Sequence, residues 1–236
     1  MISKSSPSAV GIVLAAGSGT RVGAKGNKAY LPLAGKKMVS WTLRMLSGAS
    51  ELDRLLLVVR HDEVDLARET VTADVPDIEV EIVVGGRSRH ESEFNALTFL
   101  ADDIRSGSID VVLIHDAARP LAGPDMMSTA VSVAREFGGS LPAVPADDLV
   151  EIDDGAVRTD VLDRTLVRVQ SPQAFRAPEL LDAYIRSEAD AFEGTDTSSC
   201  VEHYTDLDVR TFPGSSRNLK VTYAHDVVLA ERLLSS

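Results

Sequence analysis

The chain is 236 residues long and 44% hydrophobic, and its 24 Lys+Arg against 36 Asp+Glu leave a net charge of −12. That apolar content excludes a disordered chain, no run of about 18 uncharged apolar residues exists to cross a bilayer, and the length suits one compact domain over residues 1–236. A single cysteine, Cys200, rules out an internal disulfide framework and a multi-thiolate metal site, so folding rests on the core.

Residues 1–7 carry one lysine and no apolar h-region, and the apolar run after them is too short for a signal peptide, so a cytoplasmic protein is expected. That run, residues 9–14 (AVGIVL), reads as a strand buried on both faces of a parallel sheet. Directly after it come Leu14-Ala15-Ala16-Gly17-Ser18-Gly19-Thr20-Arg21 and, a few residues on, Lys28. Small residues let backbone N–H groups approach a phosphate chain, and two cations in such a loop suggest a triphosphate held by amides and clamped by side chains. The Gly-Lys-Ser/Thr ending of a P-loop is absent, as are the third glycine and the following acid of a dinucleotide fingerprint. Residues 1–50 hold Lys4, Arg21, Lys25, Lys28, Lys36, Lys37 and Arg44 and no acid, a local +7 in a chain whose remainder is −19. This polarity favours a small phosphorylated ligand over nucleic acid, the other reading being a solvated basic surface.

Further along, helical periodicity over 38–46, 63–72, 91–104 and 125–137 alternates with apolar runs at 54–60, 80–84, 111–114 and 141–144. The alternation predicts an α/β fold, a Rossmann-like, mainly parallel sheet with helices on both faces, with ligands outside the carboxyl ends of the strands. From 147 to 169 the alternation fails, and short apolar positions separated by charges predict an extended β-arm, at about 146–170, turning near Asp154-Gly155. Such an arm points to a homodimer, the alternative being a surface loop. Helices are expected at 178–187 and 197–203, then a short strand at 219–221 and a last helix at 224–234.

With these residues in view, the chain resembles the cytidylyltransferases of polyol phosphates, and most closely the 2-C-methyl-D-erythritol 4-phosphate cytidylyltransferase family. The resemblance rests on the glycine loop with Arg21 and Lys28, Gly85-Gly86-Arg87-Ser88-Arg89 with Ser92, His115-Asp116-Ala117-Ala118-Arg119-Pro120, Ser171-Pro172-Gln173, Thr195-Asp196 and Asn218-Leu219-Lys220-Val221-Thr222. It implies attack of a sugar-phosphate oxygen on the α-phosphorus of CTP with release of pyrophosphate. That nucleophile is already an anion, so the reaction needs no general base but does need repelling anions aligned and their charge offset.

The resemblance assigns catalysis to Arg21, Lys28, Arg164 and Lys220. CTP is assigned to Leu14, Ala15, Ala16, Gly17, Ser18, Gly19, Gly86, Ser92, Asp116 and Ala117, and the acceptor to Asp116, Arg119, Arg164, Ser171 and Lys220. Mg²⁺ or another divalent cation is expected, carried mostly by the CTP phosphates with Asp116 as its protein ligand. Asp116 could instead be a turn residue, Arg119 could pair with a neighbouring acid, and His115 is read as scaffold. The stretch Thr195-Asp196-Thr197 is expected to cap the helix that carries Ser199 and Glu202. Leu149 stands where relatives carry a Thr that contacts the acceptor phosphate, and Asn27 replaces the common Pro before Lys28. These departures keep ribitol 5-phosphate or another polyol phosphate open as the acceptor, and a non-catalytic nucleotide-binding protein is the more distant reading.

Overall fold

Runs of consecutive apolar residues form the middle of an eight-stranded sheet in the computed structural model, which describes residues 7–17, 26–146, 151–153, 156–158 and 166–235. The first half of the chain supplies β1 (Ser8–Leu14), the short pair β2 (Pro32–Leu33) and β3 (Lys36–Lys37), α1 (Met38–Ser47), β4 (Leu52–Val59), α2 (Val64–Asp74) and β5 (Glu81–Val84). It continues with α3 (Arg89–Phe99), α4 (Ala101–Ser106), β6 (Ile109–Asp116), α5 (Pro124–Phe137) and β7 (Gly138–Pro145). The second half supplies β8 (Glu151–Asp153), β9 (Ala156–Arg158), β10 (Val167–Val169), β11 (Gln173–Arg176), α6 (Ala177–Ala189), α7 (Thr197–Tyr204), β12 (Asp208–Pro213) and α8 (Ala224–Leu234).

Across the sheet β5, β4, β1 and β6 run parallel, and β11 lies antiparallel between β6 and β7. The chain winds outward from β1 through β4 to β5 and then returns to place β6 on the other side of β1. The carboxyl ends of β1 and β6 are therefore the switch point at which open α/β sheets bind ligands. Ser140 pairs with both Ala174 and Arg210, and Ala143 with both Val169 and Pro213. β12 therefore covers one edge of β7, while β11 and β10 share the other.

Period-two alternation sorts the strand side chains onto two cores. Val13, Leu55, Leu57, Val111 and Leu113 pack against α1, α2 and α5, and Val10, Ile12, Leu56, Val58, Val112 and Ile114 pack against α3, α4, α6 and α7. Both faces are covered, which is why these strands read as unbroken apolar runs. A smaller cluster of Leu33, Met38, Ala118, Val221 and Ala230 seats α8 beside the loop after β6.

Three findings differ from the expectations. The helix expected over 91–104 is two helices, α3 and α4, meeting at buried Leu100. The apolar positions 97, 100, 101 and 104 keep one helical face through the break, so the pattern could not reveal it. Residues 219–221 are not a strand: they lie in a loop, with the Val221 N–H donating to the Ala118 carbonyl at 2.8 Å. Strands β10, β11 and β12 were not foreseen individually, because β10 and β12 are mostly exposed and the buried β11 is a four-residue stretch with polar Gln173 and Arg176 at its ends, so none gives an apolar run. The hairpin does form: Glu151 pairs with Arg158 and Asp153 with Ala156 in a separate two-stranded sheet, while residues 154–155 lie outside the described ones.

The passage from α5 to β7 has no loop. Gly138 turns it at φ +124°, and a Cβ there would stand 2.8 Å from Leu207 Cδ2. Gly138→Ala is expected to destabilise the fold by about 1–3 kcal/mol, read as a lower urea midpoint with an unchanged slope.

Candidate active site

Beyond the last paired residues of β1 the backbone keeps to its neighbours. The Ala15 N–H donates to the Val58 carbonyl at 2.8 Å, and the Ala117 N–H donates to the Leu14 carbonyl at 3.1 Å. This opens a cleft of about 540 Å³ whose floor is Leu14, Ala15, Ala16 and Gly17 on one side and Asp116, Ala117 and Ala118 on the other. Gly86, Ser88, Arg89 and Ser92 form one wall, and Lys28, Lys220 and Thr222 also line the cleft. The wall is tight: a Cβ on Gly85 would lie 2.8 Å from Ser92 Oγ and 2.9 Å from Ala16 Cβ. Ser92 Oγ donates to the Ser88 carbonyl at 2.8 Å and accepts from the Gly86 N–H at 3.0 Å, so this hydroxyl braces the turn.

The electrostatic centre is Asp116, 8% exposed and paired in register with Leu14. Arg89 Nη1 donates to its Oδ1 at 2.6 Å, Lys220 Nζ sits 2.8 Å from its Oδ2, and Arg119 Nε lies 3.7 Å from the same oxygen. Burial works against its charge, but Arg89 and Lys220 hold the carboxyl well below the usual carboxylate range. Arg89 is anchored from behind, its Nε donating to Glu93 Oε1 at 2.8 Å. Glu93, 1% exposed, also accepts from Tyr184 Oη and from Thr197 Oγ1. Burial pushes this carboxyl up while Arg89, Tyr184 and Thr197 pull it down.

Lys28 Nζ donates to the Val221 carbonyl at 3.0 Å, which brings it to the segment that carries Lys220. Asn27 fixes the approach to Lys28. It is 7% exposed, and its Nδ2 donates to the Ala15 carbonyl and to Glu63 Oε2 while its Oδ1 accepts from the Ala29 N–H. Three other cations of the basic first fifty residues, Lys36, Lys37 and Arg44, go elsewhere. Lys36 Nζ and Arg44 Nη2 donate to the Asp74 carbonyl and Lys37 Nζ to Thr70 Oγ1, at the negative end of α2.

The family described as 2-C-methyl-D-erythritol 4-phosphate cytidylyltransferase matches residues 9–236. The chain belongs to this family. It is 37% identical to the Geobacter metallireducens protein of that name, over 94% of this chain and 96% of the other, and 38% identical to one from Cereibacter sphaeroides, over 95% and 96%. The crystal structure of 4-diphosphocytidyl-2C-methyl-D-erythritol synthase from Anaerococcus prevotii superimposes with a TM-score of 0.82 at 26% identity, covering 98% of this chain and 97% of that one.

Of the residues that the family pattern singles out, the structure brings Leu14, Ala15, Ala16, Gly17, Lys28, Gly86, Ser92, Asp116, Ala117 and Lys220 around one cleft. Arg119 and Ser171 lie beneath it. The Arg119 Nη1 donates to the Asn218 carbonyl at 2.7 Å, and Ser171 Oγ, 4% exposed, accepts the Asp116 N–H at 3.1 Å. Ser18, Gly19, Arg21, Leu149 and Arg164 lie outside the described residues. Asp196 caps α7, accepting the Ser199 N–H, as expected. Arg89, Arg60 and Asn27, to which no role is assigned from sequence, also line the cleft. The only local signal for Arg89 was a glycine pair followed by a cation with Glu93 four residues on, and its target, Asp116, is 27 residues away.

His115 is scaffold, as expected. It is fully buried, and its Nε2–H donates to the Arg119 carbonyl at 3.0 Å while Nδ1 has no hydrogen-bond partner. Burial pushes the imidazole from 6.5 down to about 4. Because the unfolded chain takes up that proton first, His115 makes stability fall as pH drops from 6.5 towards 4, by at most about 1.4 kcal/mol per pH unit. His115→Gln, which keeps a donor for the Arg119 carbonyl, is expected to flatten this slope in urea melts across that window.

Proposed function

We propose that this chain transfers the cytidylyl group of CTP to 2-C-methyl-D-erythritol 4-phosphate, releasing pyrophosphate and forming CDP-methylerythritol for isoprenoid precursors. The observation that carries this reading is the cleft at the β1/β6 switch, where Lys28, Arg89 and Lys220 converge over a floor of small residues with Asp116 as the one lining carboxylate among those described. No histidine or cysteine lines it among the described residues, which suits a nucleophile that arrives as an anion.

In this reading the small residues Ala15, Ala16 and Gly17 let the nucleotide approach the end of β1 closely, and Gly86 with Ser92 limits the space for the base. Lys28, with Arg21, offsets the charge that builds on the α-phosphorus and the departing pyrophosphate. Lys220, with Arg164, holds the acceptor phosphate so that its oxygen forms the new P–O bond as the bond from the α-phosphorus to the pyrophosphate oxygen breaks. Pre-arranged cations serve such a reaction because they need no reorganisation as the charge moves.

A divalent cation belongs to the same proposal. Mg²⁺ is held by one or two carboxylates together with phosphates and water, and the donor set here, Asp116 alone with no three-residue ligand group among the described residues, fits an ion carried in on the triphosphate. Bound there, it would neutralise further phosphate charge. Supporting a homodimer, β8 and β9 pair only with each other among the described residues, and Val167 and Val169 on β10, with Leu166 just before it, are each 40% exposed or more. The reading places the reaction in the cytoplasm, where CTP is available.

Pyrophosphate release is expected with CTP and methylerythritol phosphate. Release with ribitol 5-phosphate alone would reassign the acceptor, and silence with every triphosphate would leave a nucleotide-binding protein. Lys28→Ala is expected to lower turnover about 10²–10³-fold with a much smaller change in CTP affinity by titration, and equal losses in both would make Lys28 a binding group only. For the dimer, mixing Arg164→Ala with Lys28→Ala subunits is expected to recover part of the activity, and no recovery would count against sites shared between chains.

A further inference from the structure

Gln170 follows directly on β10 and lies outside the cleft, 8% exposed. Its side-chain amide makes four hydrogen bonds, all to one short segment. Nε2 donates to the Ser215 carbonyl at 2.9 Å and to the Asn218 carbonyl at 3.3 Å. Oε1 accepts the Ser215 N–H and Asn218 Nδ2, each at 3.2 Å. Both donors and both lone pairs of the amide are therefore in use.

The segment it grips is built for that contact. A Cβ on Gly214 would stand 2.7 Å from Gln170 Oε1 and 3.1 Å from the Ala143 carbonyl, so only glycine passes there without displacing them. The backbones are tied to β7 from both sides, the Gln170 N–H donating to the Pro142 carbonyl and the Gly214 N–H to the Ala143 carbonyl, each at 2.8 Å. Fully buried Asn218 extends the junction: its Nδ2 also donates to the Ser171 carbonyl at 2.8 Å, and its own carbonyl accepts Arg119 Nη1 at 2.7 Å. Two residues further on is Lys220, with its ammonium on Asp116.

We propose that Gln170 is a positioning residue: it locks residues 214–218 to the end of β10, and through them sets where Lys220 stands, so that acceptor-phosphate recognition depends on the seating of the strand that returns from the hairpin. This rests on the reading of Lys220 given above. An apolar side chain at 170 would leave the Ser215 N–H without its partner and would take one hydrogen bond each from the Ser215 carbonyl, the Asn218 carbonyl and the Asn218 amide, and the segment would shift to recover them. A shift of about 1 Å in a phosphate-holding ammonium is enough to lose an order of magnitude or more.

The test is a double-mutant cycle on the full chain. Gln170→Met keeps the length of the side chain, and is expected to raise the KM for the acceptor about tenfold or more while the CTP dissociation constant, titrated without acceptor, changes less than about twofold. In a Lys220→Ala background the same substitution is expected to change the acceptor KM by less than about twofold. An equal rise in both backgrounds, or a loss of CTP affinity as large as that for the acceptor, overturns the lock. If Lys220→Ala leaves the acceptor KM unchanged, the reading of Lys220 falls and the lock with it, whereas a raised KM with additive Gln170→Met removes the lock alone. Should Gln170→Met unfold below the assay temperature, Gln170→Glu, which keeps the acceptors and loses both donors, serves in the same cycle.

Discussion

Asp116 is a carboxylate almost out of water, and a charge in that position must be met by other charges or given up. Arg89 meets one carboxylate oxygen, while Lys220 and, at a longer distance, Arg119 meet the other. Arg89 can stand beside the cleft because Glu93 holds its far side, and Glu93 in turn is held by Tyr184 of α6 and Thr197 of α7. A chain of polar contacts thus runs from the helical layer through α3 to the ligand surface. Exchanging such a buried array for apolar residues is often neutral or stabilising, while removing one partner costs about 3–5 kcal/mol. Its value therefore lies in fixing one arrangement of charge at the cleft.

The alternating α/β order was legible because strands covered on both faces carry unbroken apolar runs, as in residues 9–14 and 111–114. The same criterion passed over β12, whose side chains are mostly exposed, and gave residues 219–221 to a strand because Leu219 and Val221 flank Lys220 as a strand would. Burial of Val221 under α8 satisfies that pattern without any sheet. The break at Leu100 left no trace because it preserves the helical face. Propensity and periodicity report which face is buried, and these are places where a face stays buried through a different backbone.

At the site, the residues legible in the sequence were those placed by the first strand and by short motifs: the glycine turn, Lys28, Asp116 and Lys220. Charge was a coarser guide. Lys36, Lys37 and Arg44 contribute to the same basic stretch as Lys28, yet Lys36 and Arg44 donate to the last carbonyl of α2 and Lys37 to the Thr70 hydroxyl, a need that only the packing of β3 and α1 on α2 creates. Asn27 looked like a departure from the family pattern. In place it joins Ala15, Glu63 and Ala29 in one buried hydrogen-bond set, a role that a proline, with no side-chain donor, could not fill. Arg89 and Glu93 were hidden because their partners lie 27 and about 100 residues away.

The cations at the cleft also differ in how firmly they are held, and that difference matters for a reaction made of anions. Arg89 is pinned at both ends, to Asp116 and to a carboxylate 1% exposed. Lys220 has a side chain 39% exposed and an ion pair with a single carboxylate oxygen. Asp116 is buried, so in the proposed reaction an arriving phosphate dianion can draw this ammonium away only if the carboxylate keeps another counter-ion. What makes the exchange cheap is that Arg89 stays behind: Asp116 keeps a counter-ion, remains charged, and does not have to be desolvated alone. Fixed charge beneath and a movable charge above are complementary parts, and the first is what lets the second move.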